Sequence, residues 1–420
     1  MKNINSDKTA KIRLISGFLV AVVLVSLIVV YIRKSQSNQA SATMKKPTNI
    51  STTLIEFSKL PIIGVSAAGD TVHLGGFSGL VFHGKDPVSG RLRFITHTDR
   101  GPNSEPQDFN RDGHEDRIFV LPNFVPEIIW FDADLERKTL QITKRLPLSD
   151  ATGNPLSGLP PRPGPSMEAR TDDQAFDVFG RELPPSSNGA DVEALVVTED
   201  GSFWMGDEYF PSLIQFDSTG TMRQRLIPEK SWKDAPPLYR QVLPERFGFR
   251  RVNRGFEAMA LQGSELWVFM QSPLDYPDHP KDENSKKSRD VAVLVYDIAT
   301  QQVTGTHSYL LDKNGPDKIG DAVALGNGKF FILEHGKVDG ELVHRIVLQD
   351  FKKNRKEIFI TLTREQFPFE KAEGLAMVDD RTLVLLNDND FGIKGEFDLK
   401  TGKLKPTDKA EPAAMVVIQW

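Results

Sequence analysis

Short hydrophobic runs recur in pairs along this 420-residue chain, and turn residues separate the two runs of each pair. Each repeat starts with a small or acidic residue and ends, after two apolar runs and a turn, in polar or acidic residues. The five clearest repeats start at Ser78, Glu193, Glu257, Asp321 and Glu373. The runs are too short for helices and contain β-branched and aromatic residues, and turns such as Asp200-Gly201 suit hairpins. The pattern predicts repeated β-hairpins.

Further strand-like runs follow several hairpins, for example Val291–Asp297 and Val303–Leu310, so each repeat contains about four strands. We therefore predict an all-β fold, a β-propeller of five to six four-stranded blades over residues 51–420. A sixth blade would be completed by Thr52–Leu60 pairing with Ala414–Trp420, which would close the ring. A β-sandwich is the alternative, but it gives no reason for an acid at the start of each repeat.

The N-terminal region predicts a membrane segment. Leu14–Ile32 contains no charged residue and is flanked by basic ones, and as a helix it would rise roughly 28 Å, close to the thickness of a bilayer core. It is longer than the apolar region of a cleaved signal peptide and lacks the polar face of a core helix. We expect a transmembrane anchor over residues 1–34, a linker over 35–50 and a body outside the cytoplasm. Cleavage after Ala42 would instead release a secreted protein.

Composition excludes several classes of protein. With 39% hydrophobic and 26% charged residues, the chain is neither disordered nor a polytopic membrane protein. It contains no cysteine, which rules out disulfides, thiolate metal sites and a cysteine nucleophile. A net charge of −5 argues against nucleic acid as a partner. We expect a monomeric body.

Acidic residues recur at the hairpin ends, which a propeller brings together around one mouth of its central channel. The acids placed there are Asp99, Glu193, Asp207, Glu208, Glu257, Asp321, Glu334, Glu373, Asp388 and Asp390. Converging carboxylates repel one another unless cations, basic side chains or protons neutralise them. Oxygen ligands favour hard ions, calcium first, although acids at strand ends are also common as solvated turn residues. The metal ligands we predict at the mouth are Asp207, Glu208, Asp321, Glu334 and Asp388.

A second candidate calcium site lies between residues 108 and 116. Asp108, Asn110 and Asp112 have the D-x-N-x-D-G spacing of a calcium loop, and Asp116 follows closely. The twelfth position is Phe119 instead of the bidentate Glu of an EF-hand. An ordinary Asp/Asn turn is the alternative.

Basic residues accompany the acids. Four arginines lie just before Glu257, at positions 246, 250, 251 and 254, and Arg100 follows Asp99. Arginine binds phosphate or carboxylate in a bidentate manner, so we expect Arg100 and Arg254 to hold an anionic substrate group; alternatively, they only pair with the acids. Glu193, Glu257 and Glu373 suit either a general base or a ligand. His97 and His335 near hairpin ends are further candidates, with a structural role as the alternative.

Several of these motifs, in this order, resemble a known family. The segments are Asp99–Asn103, Glu193–Leu195, Gly206–Tyr209, Asn253–Ala258 and Glu373–Ala376. They look like the phytase-like domain, whose members are called "esterase-like activity of phytase" proteins, over roughly residues 60–420. The resemblance implies a secreted or membrane-anchored β-propeller with phosphoesterase or general esterase activity. A carboxylate-rich metal cluster, as in calcium-dependent propeller phytases, fits by analogy.

These observations lead to a functional hypothesis. We expect an extracytoplasmic, calcium-dependent hydrolase of phosphate or other esters that acts on a small anionic ester. One alternative is a lactonase or sugar-acid hydrolase with a single mouth metal, which leaves the arginines unexplained. Another is a non-catalytic surface-binding propeller, which would depend on aromatics such as Trp232, Tyr239 and Tyr276.

Overall fold

A computed structural model describes most of the chain. The described residues are 44–108, 116–161, 174–232, 235–275 and 287–420. The chain divides into two compact units, and the larger comprises Lys46–Ala324 and Gly328–Trp420. The predicted membrane segment, Leu14–Ile32, lies outside the described residues. Within the described ranges, no helix has the length and apolar character needed to cross a bilayer.

The described part of the chain is built almost entirely from short strands, joined by tight turns and by a few longer insertions. The first strands are β1 (Ser51–Glu56), β2 (Ile62–Val65), β3 (Thr71–His73), β4 (Phe77–Lys85), β5 (Leu92–Thr98), β6 (Asp116–Ile118), β7 (Glu127–Asp134), β8 (Thr139–Pro147), β9 (Gln174–Phe176), β10 (Val192–Val197), β11 (Phe203–Asp207), β12 (Ser212–Phe216), β13 (Met222–Pro228) and β14 (Tyr239–Leu243). The remaining strands are β15 (Phe256–Gln262), β16 (Glu265–Met270), β17 (Asp290–Asp297), β18 (Gln302–Leu310), β19 (Lys318–Gly326), β20 (Lys329–Val338), β21 (Glu341–Asp350), β22 (Arg355–Leu362), β23 (Lys371–Asp379), β24 (Thr382–Asp388), β25 (Gly395–Asp398), β26 (Lys403–Pro406) and β27 (Ala414–Gln419). Two short 3-10 helices span Glu245–Phe249 and Asp390–Gly392.

The strands form five blades, which confirms the predicted β-propeller. The sheets are β4-β5-β7-β8, β10-β11-β12-β13-β14, β15-β16-β17-β18, β19-β20-β21-β22 and β23-β24-β27-β1. The second blade gains a fifth strand because β14 adds in parallel to β13. Three small two-stranded sheets, β2-β3, β6-β9 and β25-β26, lie outside the blades.

Ring closure takes place within the fifth blade, so the described residues form five blades and not six. Strand β1 pairs antiparallel with β27, in a register that joins Ser51 to Gln419 and Glu56 to Ala414. The predicted pairing of the segment that starts near residue 51 with the segment that starts at Ala414 is therefore confirmed, but it does not build a sixth blade. The hairpin β23-β24 and strand β27 supply three strands of the fifth blade, and β1 is its fourth strand.

The hairpin turns and the interior follow from the sequence pattern. Gly201 and Gly328 have φ values of 79° and 77°, the left-handed conformation that these tight turns require. Apolar side chains fill the spaces between the sheets, where aromatic pairs such as Trp204–Tyr296, with ring centroids 5.8 Å apart, contribute to the packing. Because each first strand starts beside the end of the second, both hairpin ends lie at the same mouth.

Candidate functional site

Three glutamates point into the channel mouth from equivalent places in three blades. Glu193, Glu257 and Glu373 each lie near the start of the first strand of a blade, and each is skipped in the pairing register with the second strand. Such β-bulges turn a side chain out of the normal alternation and are common beside active sites. All three side chains are nevertheless buried, with 7%, 1% and 7% of their surface exposed.

The glutamates line a strongly polar cavity of about 210 Å³. Of the residues predicted from the sequence, it brings together Arg100, Glu193, Glu208, Arg254, Glu257, Glu373 and Asp388. Asp99 and Asp390 also face it, as do two lysines, Lys318 and Lys371. Acidic and basic side chains thus share one small space.

One group of ligand atoms comes from the first two blades. One carboxylate oxygen from each of Asp99, Asp191 and Glu193 lies within 4.8 Å of the other two. The Asp191 carboxylate accepts a hydrogen bond from the backbone N–H of Arg100 at 3.1 Å and forms an ion pair with the Arg100 guanidinium at 3.2 Å. The Oε2 atom of Glu193 is buried and has no hydrogen-bond partner among the described residues. We call these three residues the oxygen trio.

A second group comes from the other three blades. A ring nitrogen of His335 and one carboxylate oxygen each of Glu257 and Glu373 lie within 4.8 Å of one another. The Gln271 amide donates to Glu257 Oε2 and to Glu208 Oε1, in both cases at 2.8 Å. The Nε2 atom of His335 is buried and has no hydrogen-bond partner among the described residues. We call Glu257, His335 and Glu373 the histidine trio.

Burial and mutual repulsion raise the carboxyl pKa values at the mouth. Burial raises the pKa of Asp99, Glu193, Glu257 and Glu373 well above the usual range, and neighbouring carboxylates raise it further. Burial, with the charge of Asp191, raises the pKa of Glu208 to about 8. Ionising this cluster therefore costs free energy, and a bound cation would offset that cost. The donor set, with a buried oxygen that lacks a partner, fits a cation with oxygen ligands.

Some basic residues of the cavity form ion pairs with carboxylates, and others do not. Lys371 forms ion pairs with Asp388, at 2.8 Å, and with Asp390. Arg254 donates to the neutral amide of Gln271, and within the described ranges neither Arg254 nor Lys318 forms an ion pair. Burial and the nearby positive charge of Arg254 lower the pKa of Lys318. The burial of His335, together with the positive charge of Lys318, lowers the pKa of the His335 imidazole well below its usual value and keeps the ring neutral.

Three acids that the sequence placed at the mouth lie elsewhere. The Asp207 side chain is fully buried within its own blade, where it forms an ion pair with Arg225 and accepts a hydrogen bond from Ser212 at 3.0 Å. Because adjacent strand residues alternate, Glu334 faces away from His335 and accepts hydrogen bonds from Tyr309 and Lys356.

The third of these acids, Asp321, joins three blades deeper in the channel. Its carboxylate accepts backbone N–H bonds from Ala322 and Leu375, both at 2.7 Å, and from Leu80 at 3.3 Å. Burial raises the pKa of Asp321 to about 8. With three backbone donors already bound, this side chain holds the inner strands together and does not line the mouth cavity.

The predicted calcium loop falls largely outside the described residues. Asn110 and Asp112 lie in the range 109–115, which is not described. Asp108 is exposed, whereas Asp116 is buried in β6, where its backbone pairs with Gln107. The calcium loop therefore remains a prediction.

Sequence reasoning missed Asp191, Lys318, Lys371 and Gln271. Asp191 and Lys371 each precede a blade glutamate by two residues, the spacing that places side chains on one face of an extended segment. That spacing was the available signal for both. Lys318 and Gln271 carried no comparable signal, because their position depends on how the blades pack.

Comparisons with known proteins agree with the motifs. A family model described as "Phytase-like: Esterase-like activity of phytase" matches residues 72–391. An uncharacterized secreted protein of Arthroderma benhamiae is 28% identical over 291 residues, which are 61% of this chain and 55% of that protein. The match therefore spans about half the length of this curated relative.

Solved structures show only remote similarity. The luciferin-regenerating enzyme aligns with a TM-score of 0.38 and 9% identity, over 88% of this chain and 96% of that one. The PQQ-bound aldose sugar dehydrogenase of Streptomyces coelicolor aligns with a TM-score of 0.33 and 9% identity, over 89% and 99% of the two chains. Likeness at this level carries no argument about function. The family model, in contrast, covers most of the chain and includes the segments that supply both trios. The chain therefore belongs to the phytase-like family, whose description is esterase-like activity of phytase.

Proposed function

We propose that the channel mouth is the active site of a calcium-dependent hydrolase that acts on small anionic esters, phosphate esters in particular. One observation carries the proposal: the cavity brings four acids of the two trios together with two cationic side chains, Arg254 and Lys318, that form no ion pair among the described residues. The four acids are Asp99, Glu193, Glu257 and Glu373. Bound cations would compensate the acids, and an anionic substrate group would compensate the two basic residues. Membership of the phytase-like family supports ester hydrolysis.

The residues of the mouth suit distinct roles. The oxygen trio would hold the calcium ion, which when bound would polarise the ester and lower the pKa of a water molecule. Arg254 and Lys318 would bind the anionic group of the substrate, with Arg100 beside them. Glu208 would accept the proton of the attacking water, because its pKa of about 8 suits a base at mildly alkaline pH and its charge interacts with Asp191, Arg254 and Lys318.

The alternatives have less support. A lactonase acting on neutral substrates has no use for the free cationic side chains. A surface-binding propeller was expected to use Trp232, Tyr239 and Tyr276. Tyr239 is buried, Trp232 packs against it and against Phe210, with ring centroids 5.6 and 5.9 Å away, and Tyr276 lies outside the described residues.

We also propose that the body acts outside the cytoplasm as a monomer. The uncharged segment Leu14–Ile32 and the description of a relative as secreted both support export. Anchoring through that segment and release after Ala42 are both compatible with it. The net charge of −5 gives no support to nucleic acid as a partner.

Hydrolysis assays on the purified full-length chain test the proposal. The metal-free protein would be assayed with and without Ca²⁺ on p-nitrophenyl phosphate, phytate, p-nitrophenyl acetate and a lactone. We expect calcium-stimulated phosphate release, lost in Glu193→Gln/Glu373→Gln and retained in Asp380→Asn, which alters an exposed hairpin turn. Turnover of the acetate or lactone alone would favour the lactonase, and a lack of turnover, with calcium still raising the melting temperature, would favour a binding propeller.

A further inference from the structure

The two trios differ in chemistry and in the blades that supply them. The oxygen trio comes from the first two blades and contains carboxylates only. The histidine trio takes one residue from each remaining blade: Glu257 from β15, His335 from β20 and Glu373 from β23. The mouth thus contains two separate ligand sets.

We propose that the histidine trio is a site for a borderline divalent metal of the Fe²⁺, Co²⁺ or Zn²⁺ class, separate from the calcium ion. The inference deepens the proposed function and rests on it because Glu257 and Glu373 line the cavity in which the substrate would bind. An imidazole nitrogen with two carboxylate oxygens is a donor set for these metals, whereas Ca²⁺ selects oxygen ligands. The mouth would then hold two different metals.

The state of His335 supports this inference. Its side chain is only 3% exposed, and its Nε2 atom has no hydrogen-bond partner among the described residues. A buried polar nitrogen without a partner is costly, and His335, unlike His97, also places a ring nitrogen within 4.8 Å of two carboxylate oxygens, an arrangement that a metal would complete. The ring of His344 stacks on His335 with centroids 6.4 Å apart, a contact that leaves Nε2 without a partner.

The surroundings of the histidine trio suit a metal that also binds substrate. Three protein ligands leave coordination positions open, as in catalytic metal sites. Lys318 lines the same cavity, and its positive charge acts on Glu373, Glu257 and His335. A cation beside the metal favours an anion in the open positions, so the metal and Lys318 would hold the same substrate group.

Cobalt binding tests the site without requiring activity. The metal-stripped full-length chain would be titrated with Co²⁺ in excess Ca²⁺, and binding followed by the visible absorption of cobalt. We expect saturation near one equivalent, and an affinity about tenfold or more weaker in His335→Gln and in Glu257→Gln. His97→Gln is the matched control, because His97 is equally buried with an Nε2 that lacks a partner among the described residues and belongs to neither trio. It should bind Co²⁺ like the wild type.

Thermal unfolding would identify which variants are folded. Wild-type affinity for Co²⁺ in either folded variant, or no binding by the wild-type chain, would overturn the histidine site. The hydrolysis assay tests the proposed activity separately from the histidine site. Calcium-stimulated hydrolysis with unchanged cobalt binding in His335→Gln refutes only the histidine site, whereas His335-dependent cobalt binding without hydrolysis refutes only the proposed activity.

Discussion

Replacing Asp321 by Asn should weaken the propeller without affecting calcium binding. The sequence suggested Asp321 as a metal ligand, but its carboxylate accepts three backbone N–H bonds, from Ala322, Leu375 and Leu80. Leu80 and Leu375 belong to the inner strands of the first and fifth blades, while Asp321 itself belongs to the fourth. One side chain therefore joins three blades at the channel.

The magnitude follows from the number of acceptors. An asparagine keeps one side-chain oxygen and presents an N–H where the second oxygen was, so at least one buried backbone N–H loses its acceptor. An unsatisfied buried donor costs about 1–3 kcal/mol. We therefore expect Asp321→Asn to lower the free energy of unfolding by about 1–3 kcal/mol at a pH where the carboxyl is protonated and no cost of ionisation offsets the lost acceptor.

Urea unfolding of the metal-free chain at pH 4 measures this effect, because the carboxyl pKa of about 8 keeps Asp321 protonated in the folded chain there. At higher pH the cost of ionising a buried acid would offset the lost acceptor. Binding of Ca²⁺ is measured separately at neutral pH. Glu193→Gln is the control, since it neutralises a buried acid whose Oε2 atom has no partner among the described residues. It should leave the metal-free protein as stable or more stable and abolish stabilisation by Ca²⁺. An unchanged free energy of unfolding in Asp321→Asn, or a weaker affinity for Ca²⁺, would refute the structural role of Asp321.

Three further predictions concern Glu208, Asp207 and Arg254. The pKa of Glu208 is raised to about 8, so its contribution to stability is complete below pH of about 4.5 and is lost as the pH rises through 8. Scanning calorimetry from pH 5 to 9 should therefore show that the melting temperature of metal-free Glu208→Gln depends less on pH than that of the wild type. Asp207→Asn should cost about 3–5 kcal/mol in urea unfolding because it leaves Arg225 buried without its carboxylate, and calorimetric titration should show unchanged Ca²⁺ affinity. In steady-state assays, Arg254→Gln should raise KM for a phosphate ester about tenfold, by loss of a charge-assisted contact, and leave a neutral ester unaffected.

The fold was predictable because it repeats. The acids at 193, 257, 321 and 373 mark the first strands of four blades, and the run from Ser78 marks the fifth. The number of blades was not predictable in the same way. Whether β1 and β27 form a sixth sheet or complete the fifth depends on how many strands the last repeat lacks, which is a property of the closed ring.

The site was predictable only in part because sequence does not show what faces a side chain. Glu208 and Asp207 are adjacent, yet one lines the cavity and the other binds Arg225 inside the blade. Glu334 and His335 are also adjacent, yet His335 lies beside two glutamates of the mouth, whereas Glu334 binds Tyr309 and Lys356. The β-bulges that turn the blade glutamates toward the channel arise from the pairing of two strands. The sequence of either strand alone therefore does not predict them.

The closure of the ring has a consequence for biosynthesis. Strand β1 is made long before its partner β27, because 358 positions separate Glu56 from Ala414. At about 5–20 residues per second, synthesis of that stretch takes on the order of tens of seconds, during which β1 has no partner. Its first residues are Ser51, Thr52 and Thr53, a polar start that limits aggregation of a waiting strand. The buried run Met415–Ile418 in β27 would present an apolar edge without β1, so a strand that is translated earlier protects one that is translated much later.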